Sequence, residues 1–175
     1  MSRVRASGAV AFVDVVGFTA FTERYGDGPA VTVVDLVEQV TRDALPPEAQ
    51  LVKLLGDGAL VWFARAATAV PTMLEVVTEL ANGSPAIPTR ASVHYGHVVF
   101  RDADGLGRDV IGRDVNIAVR LVDVARPGEV LCSATARAGT NPTGIRFTTR
   151  GVAALAGIDR RMHVFAATRV PASVH

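Results

Sequence analysis

The stretch "LVKLLGDGALVWFA", residues 51 to 64, limits the fold more than any other part of the chain. Two apolar runs flank an Asp-Gly pair, the signature of a tight β-hairpin with Asp57 at its tip. A hairpin joins antiparallel neighbours, so a mixed sheet fits better than a doubly wound, all-parallel one. The remaining elements alternate around it. "GAVAFVDVV" reads as a buried strand, and Thr19 to about Leu45 has helical spacing, broken near "YGDGPA" and stopped at "PP". "ATAVPTMLEVVTELANG" reads as a helix closed by Asn82 and Gly83, and "TRASVHYGHVVF" as a long strand or hairpin followed by a polar flap, "RDADGLGRD". "DVNIAVRLVDVA" predicts a helix with an apolar stripe at Val115, Ala118, Val119 and Val122 that faces the core or a partner, ended by "RPG". "EVLCSA" predicts a strand, and Ile145 to Thr168 offers two more. The class expected is α+β, a sandwich of helices on a mixed, mainly antiparallel sheet.

With 175 residues, 49% of them hydrophobic, the chain fits one domain over 1–175 around one sizeable core. Eighteen basic against seventeen acidic residues leave a net charge of +1, which offers no broad footprint for nucleic acid or an anionic membrane. Any phosphate binding must be local. The one cysteine, Cys132, excludes an internal disulfide framework and a cysteine metal cluster, and reads as a buried strand residue in a reducing compartment. No apolar run approaches the roughly twenty residues of a membrane span, and Asp14 interrupts the first hydrophobic stretch before it can act as a signal core. A cytoplasmic protein is expected. A mean hydropathy of +0.30 is high for one domain, which points to apolar surface covered by a second copy.

The candidate chemistry begins with Asp14, because a charge near the end of a buried strand needs a partner. An arginine or backbone amides at the next helix start would serve as well as a metal. Asp57 has its own plain explanation, since Asp-Gly suits a turn on steric grounds. Together, a strand end and a neighbouring hairpin tip bring two carboxylates within reach of hard divalent ions, as in two-metal phosphoryl transfer. Lys53 is the only lysine; the other seventeen basic residues are arginines. It reads either as a guard on an edge strand or as a single-point contact that a forked guanidinium would make badly. Asn116 and Arg120, four apart, share a helix face that is either solvated or able to hold a hydroxyl and a phosphate at adjacent points.

In their order, "FVDVVGFTAFTE", "VKLLGDGALVWF", "TRASVHYGHVV", "DVIGRDVNIAVRL" and "GEVLCS" resemble the catalytic domain of class III nucleotidyl cyclases over nearly the whole chain. The resemblance is to the stand-alone bacterial type, mycobacterial members included, with no attached regulatory domain. It implies a ferredoxin-like βαββαβ sandwich and conversion of ATP to cyclic AMP and pyrophosphate. By the same resemblance, Asp14, Asp57 and the Val15 carbonyl hold two Mg²⁺ or Mn²⁺ ions. Phe18 and Thr19 cradle phosphate oxygens at a helix start, and Arg90 lies near the triphosphate. Lys53 and Asp109 read adenine, Asn116 orients the ribose, and Arg120 stabilises charge on the α-phosphate. The site is implied to lie between the two chains of a homodimer, with Asp14 and Asp57 from one and the other four residues from its partner.

The chain departs from the family where relatives carry a triphosphate-binding lysine near the end; it has Ala156 in "LAG", with Arg150 or Arg160 as substitutes. Ile111 stands where relatives have an aromatic, and the flap before Asp109 is short. Other readings are a guanylyl cyclase, a cyclase-like domain that binds nucleotide without turnover, and a phosphoacceptor receiver. The last lacks an acidic pair after the first strand and a lysine after a late strand.

Overall fold

The structure is a computed structural model and describes residues 3–103 and 107–170. The chain runs β1 (Arg3–Val15), α1 (Phe18–Tyr25), α2 (Asp27–Ala44), β2 (Ala49–Leu55), β3 (Gly58–Phe63), α3 (Ala66–Asn82), β4 (Thr89–Ala103), β5 (Gly107–Ile111), α4 (Arg113–Asp123), β6 (Val130–Ser133), α5 (Ala134–Ala138), β7 (Ile145–Ala153) and β8 (Met162–Arg169). The strands form one sheet in the order β2-β3-β1-β4-β6-β8-β7, with β5 paired to β4 beside that path. Every pairing is antiparallel except β4 with β6. The first part, β1 to β4, is the expected βαββαβ unit, and the helix break falls at Gly26 between α1 and α2. The tip of the polar flap, residues 104–106, lies outside the described residues.

Strand period two sorts β1 into two faces. Ala9, Ala11, Val13 and Val15 pack toward α2 and α3, while Val10 and Phe12 pack toward Val115, Ala118 and Val122 of α4. Asp14 therefore continues the α4 face. Helix α4 is covered twice, since Ile117 and Leu121 pack with Leu131, Leu155 and Val164 on its other flank. That second covering corrects the predicted stripe: Ile117 and Leu121 are fully buried, and Val119 is only half-buried. Cys132 is buried on β6 as expected.

The hairpin is present, but its turn is shifted by one residue. Leu55 pairs with Gly58, so the two loop residues are Gly56 and Asp57. Gly56 carries the positive φ of 63°, and Asp57 needs none. Gly58 serves packing instead: a Cβ there would stand 2.6 Å from Phe12 Cζ and 2.7 Å from the Val13 carbonyl oxygen. The glycine thus lets β3 lie close against β1, which brings Asp57 toward the end of that strand.

Candidate active site

Lys53 stands on β2, an edge strand of the sheet, and its ammonium reaches across to another strand. Its Nζ donates to Asp109 Oδ1 on β5 at 2.8 Å, and the same oxygen accepts from the Val110 N–H at 2.8 Å. Arg101 adds a weaker ionic contact to Asp109 Oδ2 at 3.7 Å. Burial pushes the Asp109 carboxyl upward, but the Lys53 hydrogen bond, the Val110 N–H and the two positive charges outweigh it and hold it below its ordinary value.

Beside this pair opens a cleft of about 640 Å³, lined by Lys53, Leu55, Leu60, Ile111, Asn116 and Arg120 among others. Asn116 and Arg120 leave the exposed face of α4 one turn apart, because Val115, Ile117 and Ala118 turn inward. Arg120 has a loose contact to Asp123 at 3.5 Å, which leaves its guanidinium free to exchange partners. Apolar walls with a few convergent polar groups are what a nucleobase and ribose require. The tail meets the same cleft through Ala156, Gly157 and Ile158, so the position of the absent lysine borders the site. Arg150 is held by Glu129 at 2.8 Å on another part of the surface. Ile111 supplies apolar wall where relatives carry an aromatic.

Asp14 and Asp57 form a second cluster that does not line this cleft. Asp14 pairs across the strands with Arg90, whose Nε donates to Asp14 Oδ2 at 2.9 Å. The plain partner considered for Asp14, an arginine, is therefore present, and it is the same Arg90 expected near the triphosphate. Asp57 is raised from its ordinary pKa, first by burial and then by the neighbouring Asp14 charge, against the backbone N–H groups of Asp57 and Val15 and the Arg90 charge. Two neighbouring carboxylates, both offering oxygen donors, suit a hard divalent cation. Val15 ends β1, and Gly17 then opens α1, whose start no side chain caps. Phe18 is half-buried against the core and Thr19 is exposed, which leaves this helix start facing outward beside the carboxylates.

Sequence reasoning missed the way β4 holds α4. Arg90, Ser92 and His94 alternate along one face of β4. Arg90 donates to the carbonyls of Asp123 and Ala125 at 3.1 and 3.3 Å, Ser92 Oγ donates to the Ala118 carbonyl at 2.6 Å, and His94 Nε2 meets Asp114 Oδ1 at 3.1 Å. The polar residues at every second position of "RASVH" carried this signal, hidden because a strand of that length reads first as core.

Residues 4–167 match the adenylate and guanylate cyclase catalytic domain family, and the chain belongs to it. An adenylate cyclase of Streptomyces coelicolor is 33% identical over 124 residues, which cover 70% of this chain and 31% of that protein. The pH-sensitive adenylate cyclase MT1302 of Mycobacterium tuberculosis is 29% identical over 164 residues, 91% of this chain and 40% of the relative. The matched segments thus span between three-tenths and four-tenths of these curated relatives. Among solved structures, the adenylyl cyclase CyaB from P. aeruginosa superposes with a TM-score of 0.85 at 20% identity, covering 100% of both chains. The guanylyl cyclase Cya2 superposes at 0.84 with 19% identity, covering 97% of this chain and 95% of that one. Fold alone is shared with both kinds of cyclase, so the choice of base rests on side chains.

Proposed function

We propose that the chain is an adenylyl cyclase that converts ATP to 3′,5′-cyclic AMP and pyrophosphate. The observation that carries this reading is the Lys53–Asp109 pair at 2.8 Å, beside the cleft that Asn116 and Arg120 also line. A lysine donor and a carboxylate acceptor match the adenine N1 and N6 amino group, whereas guanine presents the opposite pattern and would leave both groups without a partner on the base. Asn116 orients the ribose so that its 3′-oxygen faces the α-phosphorus. That hydroxyl gives its proton to solvent, and its oxygen bonds to the α-phosphorus as the bond to pyrophosphate breaks. Arg120 stabilises the charge that develops on the α-phosphoryl oxygens, so positioning and electrostatics do the work without a covalent enzyme intermediate.

Asp14, Asp57 and the Val15 carbonyl are the groups that would hold Mg²⁺ or Mn²⁺, which when bound would supply acidity to the 3′-hydroxyl and neutralise the triphosphate. The start of α1 at Phe18 and Thr19 and the charge of Arg90 beside Asp14 take up the phosphates on the same side. The carboxylate cluster and the nucleoside cleft are separate within one chain, which supports a homodimer whose sites each take the carboxylates from one subunit and the cleft from the other. We place the chain as a single catalytic domain over 1–175, in the cytoplasm; among the described residues no helix is long and apolar enough to cross a membrane.

Purified protein incubated with ATP or GTP, each with Mg²⁺ or Mn²⁺, tests this reading. Cyclic AMP above an Asp14→Ala control, with GTP turned over far less, is the expected result. A second reading, nucleotide binding without turnover, draws on the uncharged tail at Ala156; it wins if nucleotide binds and neither cyclic product forms.

A further inference from the structure

The side chain that ties the first turn of α4 to the sheet is Asp114. Its Oδ2 accepts from the His97 N–H at 2.6 Å, and its Oδ1 accepts from His94 Nε2 at 3.1 Å. The carboxylate lies directly over Gly96, in the space that a Cβ there would occupy. His94 is itself fixed from behind, since its Nδ1 lies 2.8 Å from Ser133 Oγ, and Ser133 accepts from the Ala136 N–H at 3.2 Å as the cap of α5. Both His94 and Ser133 are buried. Burial lowers the His94 pKa, against the pull of Asp114, and the nearby Arg160 charge adds to the lowering. The ring is then neutral, with Nε2–H donated to Asp114 and Nδ1 accepting from the Ser133 hydroxyl.

Asn116 stands two residues beyond Asp114 on the exposed side of the same turn, at the cleft. The second turn of α4 is pinned by Ser92 at Ala118, and the end by Arg90. A helix held at several points of one strand cannot tilt or slide without breaking several polar contacts at once, the Ser92 contact among them being buried. We propose that His94 and Asp114 are positioning residues that set where Asn116 presents its amide to the ribose. This rests on the adenylyl cyclase reading. Neither residue touches substrate; their effect passes through the placement of the α4 first turn.

The test is a double-mutant cycle with Asp114→Asn, a near-isosteric change that turns an amide N–H₂ toward one of the two donors. We expect kcat for ATP to fall about tenfold with KM within about twofold. In an Asn116→Ala background the same change is expected to cost less than about twofold, because the residue being positioned is gone. His94→Gln, which keeps a donor near the Nε2 place, is expected to retain more activity than His94→Ala. An Asp114→Asn protein with wild-type kcat, or one with the full loss also in the Asn116→Ala background, would overturn the proposal. A readout independent of turnover is the Asn116 side-chain amide resonance, expected to shift when wild type binds a non-hydrolysable ATP analogue and to shift by less than half as much in Asp114→Asn. No turnover by wild type, with that difference in resonance intact, would sink the cyclase reading and leave the positioning role standing. Turnover with an unaltered Asn116 response in Asp114→Asn would sink the positioning role alone.

Discussion

Lys53 Nζ and Asp109 Oδ1 meet at 2.8 Å although 56 positions separate them in the chain. One comes from an edge strand and the other from a strand attached beside the main sheet path. Their opposite charges sit next to the cleft that Asn116 and Arg120 line, so one contact ties the edge of the sheet to the wall of that cleft.

If the pair reads adenine, its chemistry sets selectivity. Lys53→Glu combined with Asp109→Cys is expected to lower the ratio of kcat/KM for ATP over GTP by at least about tenfold. Steady-state kinetics with both nucleotides check this, and an unchanged ratio contradicts the base-reading roles.

The separation of the carboxylates from the cleft predicts complementation. Asp14→Ala and Asn116→Ala proteins, each left alone with only a small measurable fraction of the wild-type rate, are expected to regain activity when mixed under conditions that exchange subunits. One of the two sites in such a mixed dimer is intact, so recovery of up to about half the wild-type rate per mixed dimer is the measure. Absence of recovery in a mixture shown to contain mixed dimers would rule out sites shared between chains.

Asp109 gives a pH dependence with a definite sign. Its folded-state pKa is held below the ordinary value, so it contributes stability that is fully present above its unfolded pKa of about 4 and is lost as pH falls through the lower folded value. Urea unfolding of wild type and Asp109→Asn is expected to show a gap that is constant between about pH 5 and 7 and shrinks as the pH is lowered below about 4. A gap that stays the same at pH 3 would contradict the assignment.

Gly96 faces the Asp114 carboxylate without room for a methyl group. Gly96→Ala is expected to destabilise the fold by about 1–3 kcal/mol in denaturant titrations, since either α4 or the carboxylate must move. Wild-type stability in this variant would mean that the first turn of α4 is less firmly seated than its contacts indicate.

Cys132 is fully buried, and burial pushes its thiol up to about 12. A thiol reagent at pH 8 is expected to leave the native protein unmodified and to react fully once it is unfolded in guanidinium. Rapid labelling of the native state would show local opening around β6.

The elements were legible because their signals are local. The hairpin, the helix break near "YGDGPA" and the stop at "PP" all follow from nearby glycines, prolines and apolar spacing, and each has its counterpart in the structure. The hairpin turn was displaced by one residue because Gly58 answers to Phe12 and Val13 on another strand, a demand that no local pattern contains. The short helix α5 and the pairing strand β5 were likewise illegible. The first depends on a Ser133 cap, and the second on a partner in β4.

The sequence by itself determined the family, the α+β class and the identities of the candidate residues, because ordered motifs and turn chemistry are written in adjacent positions. Only the tertiary structure decided which of those residues meet. Strand register set Arg90 against Asp14, strand parity put Arg90, Ser92 and His94 under α4, and sheet order brought Lys53 to Asp109. These contacts join residues far apart in the chain. They exist because backbone pairing and core packing fix distance and direction together, which composition and spacing along one segment do not.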